Sequence, residues 1–427
     1  GFFKGLGFSV KSFLASYVTD YSSIGSAETE EGKTVKVWIQ TGRDQAEVIR
    51  ELVDSDYSEK YNNSIYLSVV TGGLLQSVLA NQAPDVVFDL PAAEPMEYAL
   101  RGAAYDLTQF EDYKEIEKRF SPSSVSPASF DGGVYAIPQT YSFFMFFYRT
   151  DIFEEYGFKV PKTWDELISM IPTLQRNSME LGLPKTINSY AMFLNQRGGL
   201  IYKDGGKVSN LDSNLAISTF VDFTDYFSLY DLSVTFDFVN RFRSGEMPCA
   251  VSDFINYNQL TAFAPEIKGR WRMVPVPGTM DENGNVNNTT NGTATYIMLL
   301  RNSKVKEQAW EFMKWFMSDD IQSMYGIKME SILGSCAKVA TANVAALSKM
   351  TWSSDEYTNL FKQYESIDSL PQVPGGYYLA RTFDFAFNRV YNGSTLQNMG
   401  EDPSSVLGEY VPSLNDELER KCAEFGR

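Results

Sequence analysis

Two kinds of hydrophobic pattern alternate along the first part of this chain. Short apolar runs at residues 34–39, 65–70 and 84–88 read as strands. Between them a helical pattern covers residues 44–61, and a shorter one covers 74–80 after the Gly72-Gly73 turn. Strands alternating with helices imply βαβ units and a mainly parallel sheet. Ligands of such sheets sit beyond the carboxyl ends of the strands, here residues 41–44, 71–73 and 89–94. Ahead of this region Phe3, Leu6, Val10, Phe13, Leu14, Tyr17 and Val18 recur at helical spacing, so residues 2–18 are predicted as an amphipathic helix too short to span a bilayer. Either this helix docks on the body, or it meets a preceding domain or partner. Residues 25–32 read as an acidic linker.

Further on, Asp131-Gly-Gly-Val-Tyr-Ala-Ile-Pro138 reads as a turn and strand, and the aromatic run 143–148 as a buried strand. Thr163 with Glu166 three residues later has capping-box spacing, a structural role. Residues 281–293 form a polar stretch in which Asp281, Asn283 and Asn285 alternate as in a calcium loop. Val286 stands where the sharp-turn glycine belongs and Gly292 where the closing glutamate belongs, so a solvated loop is expected rather than a metal site. Trp310, Met313 and Met317 give residues 305–317 a core-facing helical stripe, and residues 414–425 read as another helix.

Length and charge narrow the function. A chain of 427 residues exceeds what one core usually holds, so two lobes are expected. The formal charge of -17 opposes binding to nucleic acid or to an anionic membrane surface and suits a neutral ligand. There is no histidine, which removes Ser-His-Asp and Cys-His nucleophile systems and His-ligated zinc. Carboxylate chemistry of the glycosidase kind survives that exclusion. Cys249, Cys336 and Cys422 lie far apart and read as small packing residues, although a pair could bridge. Neither a signal peptide nor a bilayer-length apolar run is present, and Gly1 opens the chain without Met. The expectation is a processed or excised fragment whose export signal or anchor lies upstream.

Several segments, in order, resemble one family. They are Asn81-Gln-Ala-Pro-Asp-Val-Val87, Asp131-Gly-Gly-Val-Tyr-Ala-Ile-Pro138, Phe147-Tyr-Arg-Thr-Asp-Ile-Phe153, Pro161-Lys-Thr-Trp-Asp-Glu-Leu167, Phe242-Arg-Ser-Gly-Glu-Met247 and Ala309-Trp-Glu-Phe-Met-Lys-Trp315. Each is weak alone. Together they resemble the extracellular solute-binding proteins of bacterial ABC importers, in the carbohydrate-binding group that includes maltose-binding protein, over residues 33–427. Ile332-Leu-Gly-Ser335, Ala340-Thr-Ala-Asn343 and Pro374-Gly-Gly-Tyr-Tyr-Leu-Ala-Arg381 look like its Gram-positive branch, whose members are commonly lipid-anchored outside the cell.

The resemblance implies a two-lobed α/β fold of the periplasmic-binding-protein type II, with a ligand cleft between lobes joined by crossing segments. It implies an N-lobe of residues 33–138 with 294–345 and a C-lobe of 139–293 with 346–427, after an N-terminal segment 1–32 that does not match the family's usual start. The crossings are expected near residues 139–144 and 291–297. It also implies a monomeric extracellular receptor that closes on a mono- or oligosaccharide and delivers it to a membrane permease, with no catalysis, no cofactor and no metal.

Sugars require planar hydrogen-bond partners for hydroxyls and aromatic rings for apolar faces. At the predicted strand ends and crossings, Arg43, Asp89, Gln139, Tyr141, Gln196, Arg197, Asp253, Tyr257, Trp352, Tyr378 and Arg381 offer both. Asp44 is read as a helix cap. Tyr377 is expected in the core and Tyr378 on the ligand side, because neighbours on an extended chain point oppositely. Arg43 and Arg381 have the plain alternative of pairing with surface carboxylates. Two rival functions stay open: a carboxylate glycosidase using Asp89 and Asp253, and a glycan-sensing or adhesion module without an importer.

Overall fold

A computed structural model describes residues 18–19, 34–40, 42–334, 338–395 and 401–425. These form two compact units, one within Gly1–Tyr141 and Ala294–Met350, the other within Ser142–Thr293 and Thr351–Arg427. Two strands, Ile137–Arg149 and Thr290–Leu299, run from one unit into the other as continuous chain.

The first unit holds the predicted βαβ pattern. Strand Thr34–Ile39 pairs in parallel with Ser64–Val70 on one side and with Val86–Pro91 on the other. Val35, Val37 and Ile39 are fully buried, as the alternation of the run requires. The helical stretch after it runs as an α-helix, Arg43–Leu52, a π-helical turn, Val53–Tyr57, and a last α-helical turn, Ser58–Lys60. Helix Lys306–Phe316 packs against this layer. Phe312 lies edge-on to Tyr57 at 5.4 Å and stacks on Phe88 at 5.9 Å, and Trp310 stacks on Phe110 at 4.9 Å. The expected core stripe of Trp310, Met313 and Met317 is buried.

Three expectations are corrected here. Val18, predicted as the end of a helix, lies in the strand Val18–Thr19, antiparallel to Ser64–Val70; the rest of that helix and the linker 25–32 fall outside the described residues. The third strand starts at Val86 and continues to Pro91, so Asp89 sits inside it rather than after it. Asp89 has a φ of 63°, a left-handed conformation in which Asp is among the least strained of non-glycine residues. Asp44 does not cap its helix. Gly42 is the N-cap, and Asp44 lies in the first turn, where a carboxylate favours the helix dipole.

The second unit departs from the expected parallel sheet. Strand Ile137–Arg149 is flanked by Cys249–Asp253 and Trp271–Val274, both antiparallel to it, with Leu181–Gly182 parallel on the outer side of Cys249–Asp253. The two flanking strands run alongside each other in direction and are joined through helix Asn256–Phe263, with an oppositely directed strand between them. Apolar runs separated by a helix carry no signal for that interposed strand. The polar stretch 281–293 contains Val286–Asn287, paired with Thr279–Met280 as a hairpin, and the first residues of Thr290–Leu299. Asp281 Oδ1 accepts from the backbone N–H groups of Asn283 and Asn285, both at 2.8–2.9 Å, which uses the carboxylate as a turn former.

The core of this unit is aromatic. Trp164 stacks on Phe193 at 4.2 Å, and Phe223 meets Phe193, Phe383 and Phe387. Helix Trp164–Arg176 begins with the predicted capping box: Thr163 Oγ1 accepts from Glu166 N–H, and the Glu166 carboxylate returns to Thr163 N–H. The C-terminal helix is longer than expected, Pro403–Glu424. Cys249 and Cys422 are buried free thiols, and burial pushes the Cys249 thiol up. No helix among the described residues is long and apolar enough to cross a membrane.

Replacing Thr163 by Ala is expected to destabilise the second unit by about 1 kcal/mol through loss of the capping bond. Chemical denaturation followed by tryptophan fluorescence checks this. An unchanged midpoint would show that the cap is dispensable.

Candidate functional site

Strand Ile137–Arg149 sets the positions of several candidates through its period of two. Gln139, Tyr141 and Phe143 are buried, while Thr140 and Ser142 between them are half-exposed. Gln139 is tied to Asp89 by a reciprocal pair: its Nε2 donates to Asp89 Oδ1 at 2.7 Å, and its Oε1 accepts from Asp89 N–H at 2.8 Å. Asp89 and Gln139 therefore form one rigid group. Thr140 is bonded to Thr295 through their hydroxyls at 2.7 Å. Arg43 opens helix Arg43–Leu52 and is exposed.

Tyr141 is corrected from site to core. Its side chain is fully buried and its hydroxyl donates to Ser123 Oγ at 2.8 Å. The polar positions on the accessible side of this strand are its small neighbours. The alternation of the strand carries that signal, with Ser142 the residue that sequence reading missed.

In the second unit Asp253 ends strand Cys249–Asp253, opposite Phe144. Ser142 Oγ donates to Asp253 Oδ1 at 3.3 Å. Burial raises the carboxyl above its usual range, and the serine bond offsets this only in part. No cation among the described residues forms an ion pair with it within 4.0 Å. Four residues on, in the first turn of Asn256–Phe263, Tyr257 lies edge-on to Trp352 at 5.6 Å and to Trp271 at 5.5 Å. Trp352 is half-exposed. A half-buried carboxylate followed by a tyrosine–tryptophan pair is thus assembled from two separate stretches of the chain.

Other candidates have structural work. Gln196 is buried and fully bonded: its Oε1 accepts from the Trp164 indole at 2.6 Å and from Thr279 at 3.2 Å. Its Nε2 donates to the carbonyls of Pro277 and Thr289, each at 3.1 Å. It joins a helix to a hairpin and has no bonding capacity left for a ligand. Arg197 ends helix Ile187–Gln196 and pairs with Asp222 at 2.6 Å. Asn195, which precedes it, donates to Asp368 at 3.1 Å.

The expected orientation of the tyrosine pair is reversed. Tyr377 is exposed and donates to the Glu417 carboxylate, whereas Tyr378 starts helix Tyr378–Thr395 and packs on the core. Extended-chain alternation does not apply, because helix geometry begins at Tyr378. Arg381, one turn later, covers the Tyr378 and Phe385 rings at 5.5 and 5.2 Å. Near the strand Thr290–Leu299, Asn188 and Asn291 add a polar pair that sequence reading did not single out: Asn291 Nδ2 donates to the Asn188 carbonyl at 3.3 Å. Among the described residues the buried Asn291 Oδ1 has no hydrogen-bond donor.

A family model described as bacterial extracellular solute-binding protein matches residues 60–353. Curated binding proteins of Brucella abortus and Brucella suis are 26% identical over 233 residues, 49% of this chain and 53% of theirs, so the chain spans about half the length of the curated relatives it matches. Among solved structures, the sugar-binding protein MalE of Xanthomonas citri has a TM-score of 0.75 at 18% identity, covering 92% of this chain and 99% of that one. The cyclic alpha-maltosyl-1,6-maltose binding protein of Arthrobacter globiformis gives 0.73 at 16%, covering 91% and 99%. A Thermotoga lettingae ABC transporter solute-binding protein bound with alpha-D-tagatose gives 0.67 at 18%, covering 90% and 100%. At these identities the likeness shows the fold, a two-lobed α/β binding-protein fold.

Gln196→Ala is expected to cost roughly 2–4 kcal/mol, because it strands the buried Trp164 indole and two carbonyls. A denaturation midpoint close to wild type would show that the network is replaceable. Asp253→Asn is expected to act in the opposite direction. Since burial raises the Asp253 carboxyl, the folded state holds its proton more tightly than the unfolded chain. Its penalty is absent below the unfolded value of about 3.9 and grows as pH rises through the folded one. The variant should therefore melt above wild type at neutral pH, with the gap closing on acidification. Melting curves across pH measure this, and a gap that widens in acid would refute it.

Proposed function

Because the chain belongs to the bacterial extracellular solute-binding proteins, whose family model spans residues 60–353, we propose that it captures a neutral carbohydrate for an ABC importer by hinge closure, without cleaving it. The observation that carries this reading is the Asp253 group. A carboxylate with no cationic partner within reach among the described residues stands four residues before a tyrosine paired with a half-exposed tryptophan. A carboxylate accepts from sugar hydroxyls, and aromatic rings cover the apolar faces of a pyranose. Asp89 and Gln139 of the first unit supply further donors and acceptors, already held in place by one another. A ligand whose bonds form only in the closed arrangement favours it over the open one. Solved proteins of this fold described as binding maltotetraose, maltose and tagatose support a carbohydrate as the ligand class. The formal charge of -17 supports an uncharged one. Residence outside the cell follows the family's description, and anchoring at a Gram-positive surface, delivery to a permease and action as a monomer belong to the same proposal.

A second reading has one specific observation behind it. A carboxyl raised by burial is what a general acid needs in glycoside hydrolysis, and Asp253 has that property.

One set of measurements separates the two. A thermal-shift screen against a broad sugar library should find a sugar that raises the melting temperature with increasing concentration, as binding to the folded state requires. Gln139→Ala combined with Asp253→Ala should weaken that sugar by roughly 10²-fold, since a charge-assisted bond from Asp253 is worth about 1.5–3 kcal/mol and a neutral one from Gln139 about 0.5–1.5 kcal/mol. Chromatography of the incubated sugar should recover it intact. Undiminished affinity in the double variant would move the site elsewhere. Steady release of cleaved sugar, abolished by the Asp253 change, would make the protein a glycosidase.

A further inference from the structure

The first unit carries a groove none of whose lining residues is assigned to sugar capture. It is a cavity of roughly 790 Å³ lined by elements that include Tyr61, Arg119, Trp315, Met324, Ile327 and Lys349. Its character is unusual for a chain of formal charge -17, because Lys60, Arg119, Lys314 and Lys349 face it against only Asp112 and Asp320. Two of these lysines are matched: Lys60 pairs with Asp56 and Lys314 with Asp112, each at 2.5 Å. Lys349 reaches Asp320 only at 3.9 Å, with both groups exposed, a pairing of little energetic weight.

Arg119 is different. Its guanidinium is half-buried and donates through Nη1 to the Lys314 carbonyl at 2.7 Å. The carboxylates nearest it electrostatically are engaged elsewhere. Asp319 accepts from Asn343, and Asp112 accepts from the Trp310 indole and from Lys314. Arginine presents five donors in a planar fork, and no carboxylate among the described residues lies within ion-pair distance of this one. Beside it the rim of helix Asp319–Leu333 exposes Ile327 at 67% and Met324 at 36%. These are large apolar side chains left exposed among the described residues.

We infer that this groove docks an acidic segment of a partner protein, a short peptide stretch whose Asp or Glu enters toward Arg119 and whose flanking apolar residues cover Met324 and Ile327. Charge complementarity selects the acidic residue, because Arg119 has one bond to a carbonyl and no ion pair among the described residues, and Lys349 has a weak partner. The exposed apolar rim selects a peptide over a small free anion, which would leave that rim in water. The inference does not depend on which sugar, if any, the protein takes.

The test uses the intact chain. A displayed library of random linear peptides is selected on it, and a recovered sequence is synthesised and titrated. Recovered peptides should carry at least one Asp or Glu beside apolar residues. Arg119→Gln should weaken binding ~10-fold or more, as loss of a charge-assisted contact does. Ile327→Asp should weaken it comparably by placing like charge at the rim, and its exposure keeps that change from disturbing the fold. Asp253→Asn should leave peptide affinity unchanged. Recovered peptides without an acidic residue, wild-type affinity in both groove variants, or free glutamate competing as well as the peptide would each overturn the proposal.

Discussion

A single strand has to be hydrogen-bonded along its whole length while passing from one unit into the next, and the polar groups of the candidate site take their positions from that requirement. In the first unit, Ile137–Arg149 meets the segment at Thr341: Tyr141 N–H donates to the Ala340 carbonyl and Ala342 N–H to the Gln139 carbonyl. In the second unit the same strand is clasped on both sides by Cys249–Asp253 and Trp271–Val274. A register slip of one residue would turn every side chain to the other face, exchanging Tyr141 and Phe143 for Thr140 and Ser142. The fully buried Tyr141 and Phe143, alternating with half-exposed Thr140 and Ser142, forbid that slip. Gln139 then arrives beside Asp89, and Ser142 beside Asp253, without either pair having to hold the strand in place.

This division of labour explains which candidates survive. A polar side chain can serve a ligand only if the fold has not already used its donors and acceptors. Gln196 has four bonds to protein atoms and Tyr141 has spent its hydroxyl on Ser123, so both stabilise the interior. Asp253 has one long bond to a serine and Trp352 keeps part of its ring in solvent. A raised carboxyl is the physical mark of the difference: the interior does not compensate it, as it would a residue kept for stability alone.

Much of the architecture was legible because periodicity and capping are local signals. The helix stripe of Trp310, Met313 and Met317, the capping box at Thr163 and the strand at Thr34–Ile39 could each be read from a few residues. The misreadings share a non-local cause. The direction of Cys249–Asp253 depends on a partner strand about a hundred positions earlier, and Tyr377 and Tyr378 exchange roles because a helix begins between them. Residue type misled in the same way at the strand. A tyrosine next to a predicted crossing suggests a sugar platform, yet in a strand with this burial pattern size favours the core, and the small Ser142 is left on the accessible side.

The electrostatics join these observations. A chain with 54 acidic and 37 basic side chains has few cations to spare, and most of those described sit in surface pairs with a carboxylate. Surface pairs of that kind contribute little to stability and are screened by salt. Departures from the pattern therefore carry more information than the pattern. Among the described residues Asp253 is a sheltered carboxylate without a cation, and Arg119 is a half-buried guanidinium without a carboxylate. They lie in different units, so neither can have been left over from a pair that the other completes within one core. An uncompensated carboxylate beside aromatic rings suits a ligand rich in neutral hydroxyl donors, and an uncompensated guanidinium beside exposed isoleucine and methionine suits an acidic, partly apolar segment. The same scarcity of cations that argues for an uncharged ligand at Asp253 makes the group at Arg119 conspicuous, and the two sites differ in chemistry because each leaves a different half of an ion pair unfilled.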